Sequence, residues 1–147
     1  MPVTIRPAVQ ADQPSIRGLI KEVHLPRMNV RWSNFLVAED DGALVGVGQV
    51  KSHGDGSREL ASIAVVPGRH GEHIGTAVIN ALLAREPGVV LHLSCRRELE
   101  GYYERFGFRR LDLASYPPYF RRTTALATKI SQLFGVHLIV MRREAAG

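Results

Sequence analysis

Residues 63–75 read IAVVPGRHGEHIG, and the order of their parts decides the fold. Four apolar residues, Ile63, Ala64, Val65 and Val66, run into a Pro67-Gly68 break. A short loop follows, carrying Arg69, His70 and His73 around the glycine Gly71. A helical apolar pattern then begins at Ile74 and continues through Ala77, Val78, Ala81 and Leu82. The stretch is therefore a strand, a tight polar loop and a helix N-terminus. Amides at the start of a helix have no acceptor inside it, and the helix dipole places partial positive charge there. Such a junction is an anion site, so the ligand expected here carries phosphate.

Outward from this junction, strand and helix patterns alternate. Residues 3–7 read as a short first strand. Asp12 caps a helix with Pro14 in its first turn and Ile16, Leu19, Ile20 and Val23 on one face. Pro26 disturbs that pattern, leaving residues 25–34 as a short helix or an irregular loop. Residues 35–40 and 43–51 flank Asp41-Gly42 as a hairpin. Residues 52–57, SHGDGS, form a turn-rich loop, and residues 58–66 a third long strand. The helix begun at Ile74 ends before Pro87-Gly88, and residues 89–94 are a strand. Leu99, Tyr102, Tyr103 and Phe106 mark a helix closed by Gly107. Residues 108–113 are strand-like, and Pro117-Pro118 marks a loop. Leu126, Ile130, Leu133 and Phe134 mark a last helix face stopped by Gly135, with residues 136–141 as the final strand. Hairpins and crossovers share one sheet, so the sequence predicts a single α/β (α+β) domain over residues 1–147 with a mixed sheet.

Composition narrows the class. A chain of 147 residues suits one domain, whose core buries roughly two thirds of the unfolded surface without disulfide staples. The one cysteine, Cys95, permits no intramolecular disulfide, which fits a reducing cytoplasm. It reads as a small buried hydrophobe, since the sequence places no His or Asp to activate it. The opening MPVTIRPAVQADQ lacks the long apolar run of a signal peptide, and no run approaches the roughly 20 residues of a membrane helix. A cytoplasmic protein without a membrane partner is expected. The net charge of +5 favours anionic partners. The arginines, however, are dispersed in pairs (Arg96-Arg97, Arg109-Arg110, Arg121-Arg122, Arg142-Arg143), so no nucleic-acid partner is expected. His70 and His73, three apart beside one glutamate, do not make a metal site, and no metal is expected.

Two motifs stand in order along the chain. The first is His70-Gly71-Glu72-His73-Ile74-Gly75 in the loop; the second is Tyr102-Tyr103-Glu104-Arg105-Phe106-Gly107-Phe108. With one strand between them, they resemble the GNAT superfamily of acetyl-CoA-dependent N-acetyltransferases. That family's pyrophosphate loop reads Arg/Gln-x-x-Gly-x-Gly/Ala, and its later motif ends in aromatic-Tyr-Glu-x-x-Gly-Phe. The element order is similar over nearly the whole chain. His70 stands where Arg or Gln is usual, and His73 where Gly is usual. Anion binding there requires main-chain N–H donors, and a histidine keeps its own.

The resemblance implies a GNAT-type domain, with a splayed central sheet of about seven strands flanked by about four to five helices, and acetyl-CoA as co-substrate. It implies that Ala64, Val65 and Val66 hold the pantetheine arm and thioester carbonyl through their backbone. It places the pyrophosphate on the amides of His70, Gly71, Glu72, His73, Ile74, Gly75 and Thr76. Tyr103 matches the tyrosine that protonates the leaving sulfur, a role that suits a phenol still protonated at neutral pH. Glu59 matches a position where many members carry an acidic base. An alkylammonium with a pKa of about 10 is mostly charged at neutral pH, so a base or a water chain must take its proton.

Each of these residues also has a plain structural reading. Tyr103 shares a stripe with Leu99 and Phe106 and fits a core aromatic; Tyr102 fits a packing residue. Glu59 fits a solvated strand residue or a partner of Arg58, with His53 and His92 as alternative bases. Arg96 or Arg97 fits a solvated face or a contact to adenosine phosphates. Tyr116, Tyr119 and Phe120, beside Arg121-Arg122, either line an acceptor pocket or pack the last helix onto the sheet. The resemblance puts the other wall of that pocket at residues 25–34, with Met28 and Trp32.

The expected activity is acetyl transfer from acetyl-CoA to a primary amine of a small-molecule or peptide acceptor, by direct attack in a ternary complex. The alternative is a catalytically weak acyl-CoA-binding sensor or regulatory module of the same fold, a reading that His73 keeps open. The sequence leaves the acceptor's identity and the oligomeric state open, a homodimer included.

Overall fold

Seven strands form one sheet in the order β1-β2-β3-β4-β5-β7-β6. They are β1 Thr4–Pro7, β2 Phe35–Asp40, β3 Ala43–Ser52, β4 Arg58–Val65, β5 Leu91–Arg96, β6 Arg109–Arg110 and β7 Leu138–Arg143. The helices are α1 Gln13–Glu22, α2 Ile74–Arg85, α3 Glu100–Glu104 and α4 Pro118–Gln132. The structure, a computed structural model, describes residues 3–146, with the side chains of Ser131 and Gln132 left out. The ends of the expected domain, Met1, Pro2 and Gly147, lie outside the described residues. Pairing is antiparallel for β1–β2, β2–β3, β5–β7 and β6–β7, and parallel for β4–β5, at Glu59 opposite His92. The sheet is mixed, as the sequence predicts. Asp41 and Gly42 turn the β2–β3 hairpin with φ of 51° and 81°, the left-handed pair that a tight hairpin turn demands.

The chain forms two compact units, Met1–Lys51 with Leu60–Glu86, and Ser52–Glu59 with Pro87–Gly147. In the first, Ile16, Leu19 and Ile20 recur at helical spacing and lay α1 on Phe35, Val37, Val47 and Ala64. Each such side chain, fully buried, stabilises the fold by about 1.5–3 kcal/mol. Alternation along β3 turns Gly46 and Gly48 to the face opposite Val47. A Cβ on Gly46 would lie 2.7 Å from Ile74 Cγ2, and one on Gly48 would lie 2.7 Å from Val78 Cγ1. Bare backbone at these two positions therefore seats α2 against β3 and fixes where its N-terminus stands. Within β4, Ser62 has a φ of 58°, and its Oγ accepts from Gln49 Nε2 at 2.8 Å. Residues 25–34 are irregular and end in a 3₁₀ turn, Trp32–Asn34. Gln13 pins them, donating to the Val30 carbonyl at 2.8 Å and accepting from the Trp32 amide at 2.6 Å.

In the second unit, β5 and β7 bury Leu91, Leu93, Cys95, Ile139, Val140 and Met141. Several boundaries differ here from the sequence reading. The strand expected at 89–94 lies at Leu91–Arg96, because Pro87 to Val89 still belong to a turn. Cys95 is thus inside β5 rather than after it. Antiparallel register then carries the last strand to Leu138–Arg143, opposite β5, rather than 136–141. The strand expected at 108–113 contracts to Arg109–Arg110, since Asp112 opens a 3₁₀ turn by accepting from the Ser115 amide at 2.8 Å. Pro118 begins α4 instead of sitting in a loop; a first-turn residue needs no amide hydrogen. The buried side of α4 is Phe120 and Thr124, four residues apart, while the expected face of Leu126, Ile130, Leu133 and Phe134 is exposed. Helical spacing marks a stripe but not what covers it. Leu99 falls in a 3₁₀ turn before the short α3 and is also exposed, whereas Gly107 closes that segment with a φ of 93°, as expected.

Candidate active site

The loop after β4 is built by its main chain. Val66 N–H donates to the Val45 carbonyl at 2.9 Å, and Arg69 N–H to the Val66 carbonyl at 3.0 Å, closing a turn over Pro67 and Gly68. Gly68 and Gly71 are left-handed, with φ of 93° and 88°, and a Cβ on either would meet nothing within 4 Å. His73, the N-cap of α2, is left-handed too, at φ 62° and ψ 24°. That conformation costs a side chain roughly 1–2 kcal/mol relative to glycine, which explains the glycine of the resembled motif. His73 takes the same backbone route, with its side chain exposed. The Ala77 amide donates to the His73 carbonyl at 3.0 Å. Ile74 and Gly75 precede that bond, so their amides have no acceptor inside the helix.

Side chains brace this backbone. Arg69 Nε donates to both oxygens of Glu72, at 2.9 and 3.0 Å, and its terminal nitrogen to Asp40 Oδ2 at 2.8 Å. The Arg69 hydrogen bond holds the Glu72 carboxyl below its ordinary pKa and neutralises a charge that would repel an anion. His70 folds its ring back, with Nε2 at 3.3 Å from the Val65 carbonyl. The loop thus sets the amides of Ile74 and Gly75 at the positive end of α2, beside a main chain braced by an arginine, and that chemistry suits an anion.

Tyr103 stands on α3, half-buried, with its ring edge-on to Tyr102 at 5.1 Å and to Phe108 at 6.2 Å. Burial above all, then the neighbouring Cys95 and Tyr102, pushes its pKa up, so it stays a proton donor. Burial likewise pushes the Cys95 thiol up to about 11, which makes it the inert hydrophobe the sequence suggested.

Glu59, at the start of β4, is neither solvated nor simply a packing residue. Its Oε1 lies 2.8 Å from His53 Nε2, and the two side chains are 13% and 5% exposed. Tyr119 stacks on the His53 ring at 3.4 Å between centroids and 12° between planes, and Phe120 meets it edge-on at 6.0 Å. Asp55 ties the 53–57 loop to α4: its Oδ2 accepts the Tyr119 amide at 2.9 Å, and its Oδ1 accepts the Ser57 hydroxyl and amide. The Ser57 hydroxyl and then the Tyr119 amide lower its pKa to about 2. A carboxylate from a distant loop thereby takes an amide at the dipole's positive end that α4 leaves unpaired. His92 stands opposite Glu59 in the parallel register, 7% exposed, with its ring 5.5 Å from Phe120. Burial first, then the charge of Arg142, lowers its pKa and keeps it neutral.

Of the residues proposed for an acceptor pocket, Trp32 packs on the first unit's core, Met28 is exposed, Tyr119 covers His53 and Phe120 is buried. Arg96 and Arg97 are exposed, and Arg110 and Arg142 pair with Glu100 and Glu144. A cavity of about 480 Å³, lined by Phe106, Leu111, Ser115 and Arg143 among others, contains none of the predicted site residues. Among the described residues no cluster of three or more His, Cys, Asp or Glu is arranged to hold a metal, and no helix is long and apolar enough to cross a membrane. The sequence reading missed Gly46, Gly48, Arg69, Asp55 and the Tyr119 stack. The alternating glycines within an apolar strand were the available signal for the first pair; nothing local announced the rest.

Residues 31–110 match the family model described as the acetyltransferase (GNAT) domain. No curated protein sequence matches the chain significantly. Solved structures share its fold. N-acetylglutamate synthase from Neisseria gonorrhoeae, complexed with coenzyme A and N-acetyl-glutamate, is 22% identical, with a TM-score of 0.76 over 100% of this chain and 36% of its own. This chain thus spans little more than a third of that protein. The ribosomal-protein-S18-alanine N-acetyltransferase from Escherichia coli is 16% identical over 99% of this chain and 96% of its own, with a TM-score of 0.67. An acetyltransferase of the GNAT family from Bacillus cereus is 13% identical over 100% of both chains, with a TM-score of 0.69.

Proposed function

We propose that this chain, which belongs to the acetyltransferase (GNAT) family, transfers an acetyl group from acetyl-CoA to a primary amine by direct attack. The observation that supports this reading is the loop between β4 and α2, where a left-handed His73 precedes the Ile74 and Gly75 amides, which have no acceptor inside the helix, in a chain of this family. The amides of residues 70–76 would hold the pyrophosphate. The Val66 amide already donates to Val45. Successive strand amides point to opposite edges, so the Val65 amide is the donor left for the charge that develops on the thioester oxygen.

Glu59 takes a proton from the acceptor ammonium, freeing the electron pair that forms the new C–N bond. As the C–S bond breaks, Tyr103 gives its phenolic proton to the sulfur. Tyr103 is restored by the proton shed from the new amide nitrogen, passed through solvent. The net yield is an N-acetyl product, free coenzyme A and one proton released from Glu59.

The test is thiol release from acetyl-CoA against a panel of amines (amino acids, polyamines, aminoglycosides and short peptides). Turnover on any of them, alongside coenzyme A binding, supports the transferase reading. Tight coenzyme A binding with no turnover on any amine favours the sensor, for which the Cβ and imidazole at His73 are the supporting feature.

A further inference from the structure

Acetyl transfer with Glu59 as the base gives no task to the residues that hold Glu59. A glutamate has three rotatable side-chain bonds, and a general base must sit within hydrogen-bond reach of the proton it removes. A carboxylate acting as a base only accepts hydrogen bonds, so with Glu59 in that role the His53 Nε2, 2.8 Å from Oε1, is the donor. The second carboxylate oxygen makes no hydrogen bond among the described residues.

His53 is itself held from every side. Its amide donates to the Ser57 carbonyl at 2.9 Å, and its carbonyl accepts from Gly56 at 3.0 Å. Tyr119 lies flat on its ring, and Asp55 anchors the Tyr119 amide. His92, opposite Glu59 in register, is buried, and its Nδ1 has no hydrogen-bond partner. The loop just before Glu59 thus holds its carboxylate, and α4, far along the chain, holds that loop, while β5 runs alongside.

We propose that His53 is the positioning residue for Glu59: its Nε2–H fixes Oε1 and so presents Oε2 to the proton of the acceptor amine. The inference rests on the reading of Glu59 as the base. In the step, the acceptor's N–H bond breaks and its electron pair stays on nitrogen. The proton forms a new bond to Oε2. His53 neither gains nor loses a proton, and Tyr119 and Asp55 act only through it.

The experiment is steady-state kinetics of the full chain on acetyl-CoA and its best amine, with Glu59→Gln, His53→Phe, His53→Asn and His53→Gln, each checked by thermal melting. Glu59→Gln should lower kcat about a hundredfold. His53→Phe keeps the ring stack without the donor, and His53→Asn has a donor too short to reach. Each should lower kcat about tenfold while the KM for acetyl-CoA stays unchanged. His53→Gln, whose amide N–H spans the gap, should recover kcat to within about threefold of the native chain. A melting point as low in His53→Gln as in His53→Phe, with kcat recovered only in the former, separates positioning from a purely structural role. Native kcat in both His53→Phe and His53→Asn, with Glu59→Gln still slow, overturns the inference alone. So does a His53→Gln variant as slow as His53→Phe. Native kcat in Glu59→Gln overturns the base reading, and the inference with it.

Discussion

The loop from Val66 to His73 and the cluster around Glu59 are made of different material. The grip proposed for the loop is made of main-chain amides, so it would survive side-chain changes as long as the backbone keeps its left-handed turns. His73 illustrates this: it takes a φ of 62° where the resembled motif has glycine, and it keeps its own amide. The cluster is held together by side chains. His53 reaches Glu59 only because a loop, a strand and the first turn of α4 are held together by Asp55 and by a stacked tyrosine. A main-chain site depends on where the chain turns, and a side-chain site on which groups meet.

The two carboxylates offer the sharpest way to break that contrast. Glu59→Gln should cut kcat about a hundredfold, whereas Glu72→Gln in the loop should change kcat by less than about threefold. Steady-state assays of both variants decide this; an equal loss in the two would erase the distinction. Next in size is the glycine seat that aims the loop's amides. Gly48→Val drives a side chain into Val78 and Ile63. It should cost about 1–3 kcal/mol, a fall in Tm of several degrees, and weaken coenzyme A binding without touching Glu59. A melting curve and calorimetric titration would check both.

Asp55 gives a pH signature. Its pKa in the folded chain, about 2, lies below the ordinary 3.8, so the unfolded chain binds its proton more readily. Its stabilising effect is fully present above about pH 4 to 5 and is lost as pH falls toward 2. Asp55→Asn should therefore be less stable than the native chain at pH 7, with the gap closing in acid. Urea melts at pH 7 and pH 3 would show it, and a gap independent of pH would refute it.

The smallest effect belongs to His73→Gly. Relief of about 1–2 kcal/mol of left-handed strain is opposed by about 0.5–1 kcal/mol of added freedom in the unfolded chain, so stability should move by no more than about 1 kcal/mol. Coenzyme A should bind up to about threefold tighter. A tenfold loss instead would mean that the imidazole itself holds the ligand, and that the loop is not purely a main-chain site.

The sequence showed the first region far better than the second, for the same reason. Pro67, Gly68 and Gly71 punctuate the chain where it turns, and Ile74 with Val78 and Leu82 marks where the helix starts. Strand and helix order, the mixed sheet and the family all followed from such local signals. Glu59 and Tyr103 were singled out by motif position. That His53, rather than Arg58 or solvent, would hold Glu59 through its side chain was not legible, because positions 53, 59, 92 and 119 share no local pattern. The same limit explains α4. Leu126, Ile130, Leu133 and Phe134 lie at helical spacing, yet the residues that bury are Phe120 and Thr124. Short segments near the sheet edge failed differently: residues 108–113 look extended, but the backbone bonds of Asp112 end the strand early.

The most direct measurement is the turnover of Tyr103→Phe on acetyl-CoA and the best amine between pH 6 and 9, with coenzyme A affinity measured alongside. Burial keeps the Tyr103 proton in place across that range, and phenylalanine keeps the ring without the hydroxyl. The expected result is a fall in kcat of about a hundredfold at every pH, with coenzyme A affinity unchanged. Native turnover in that variant across the range would contradict it.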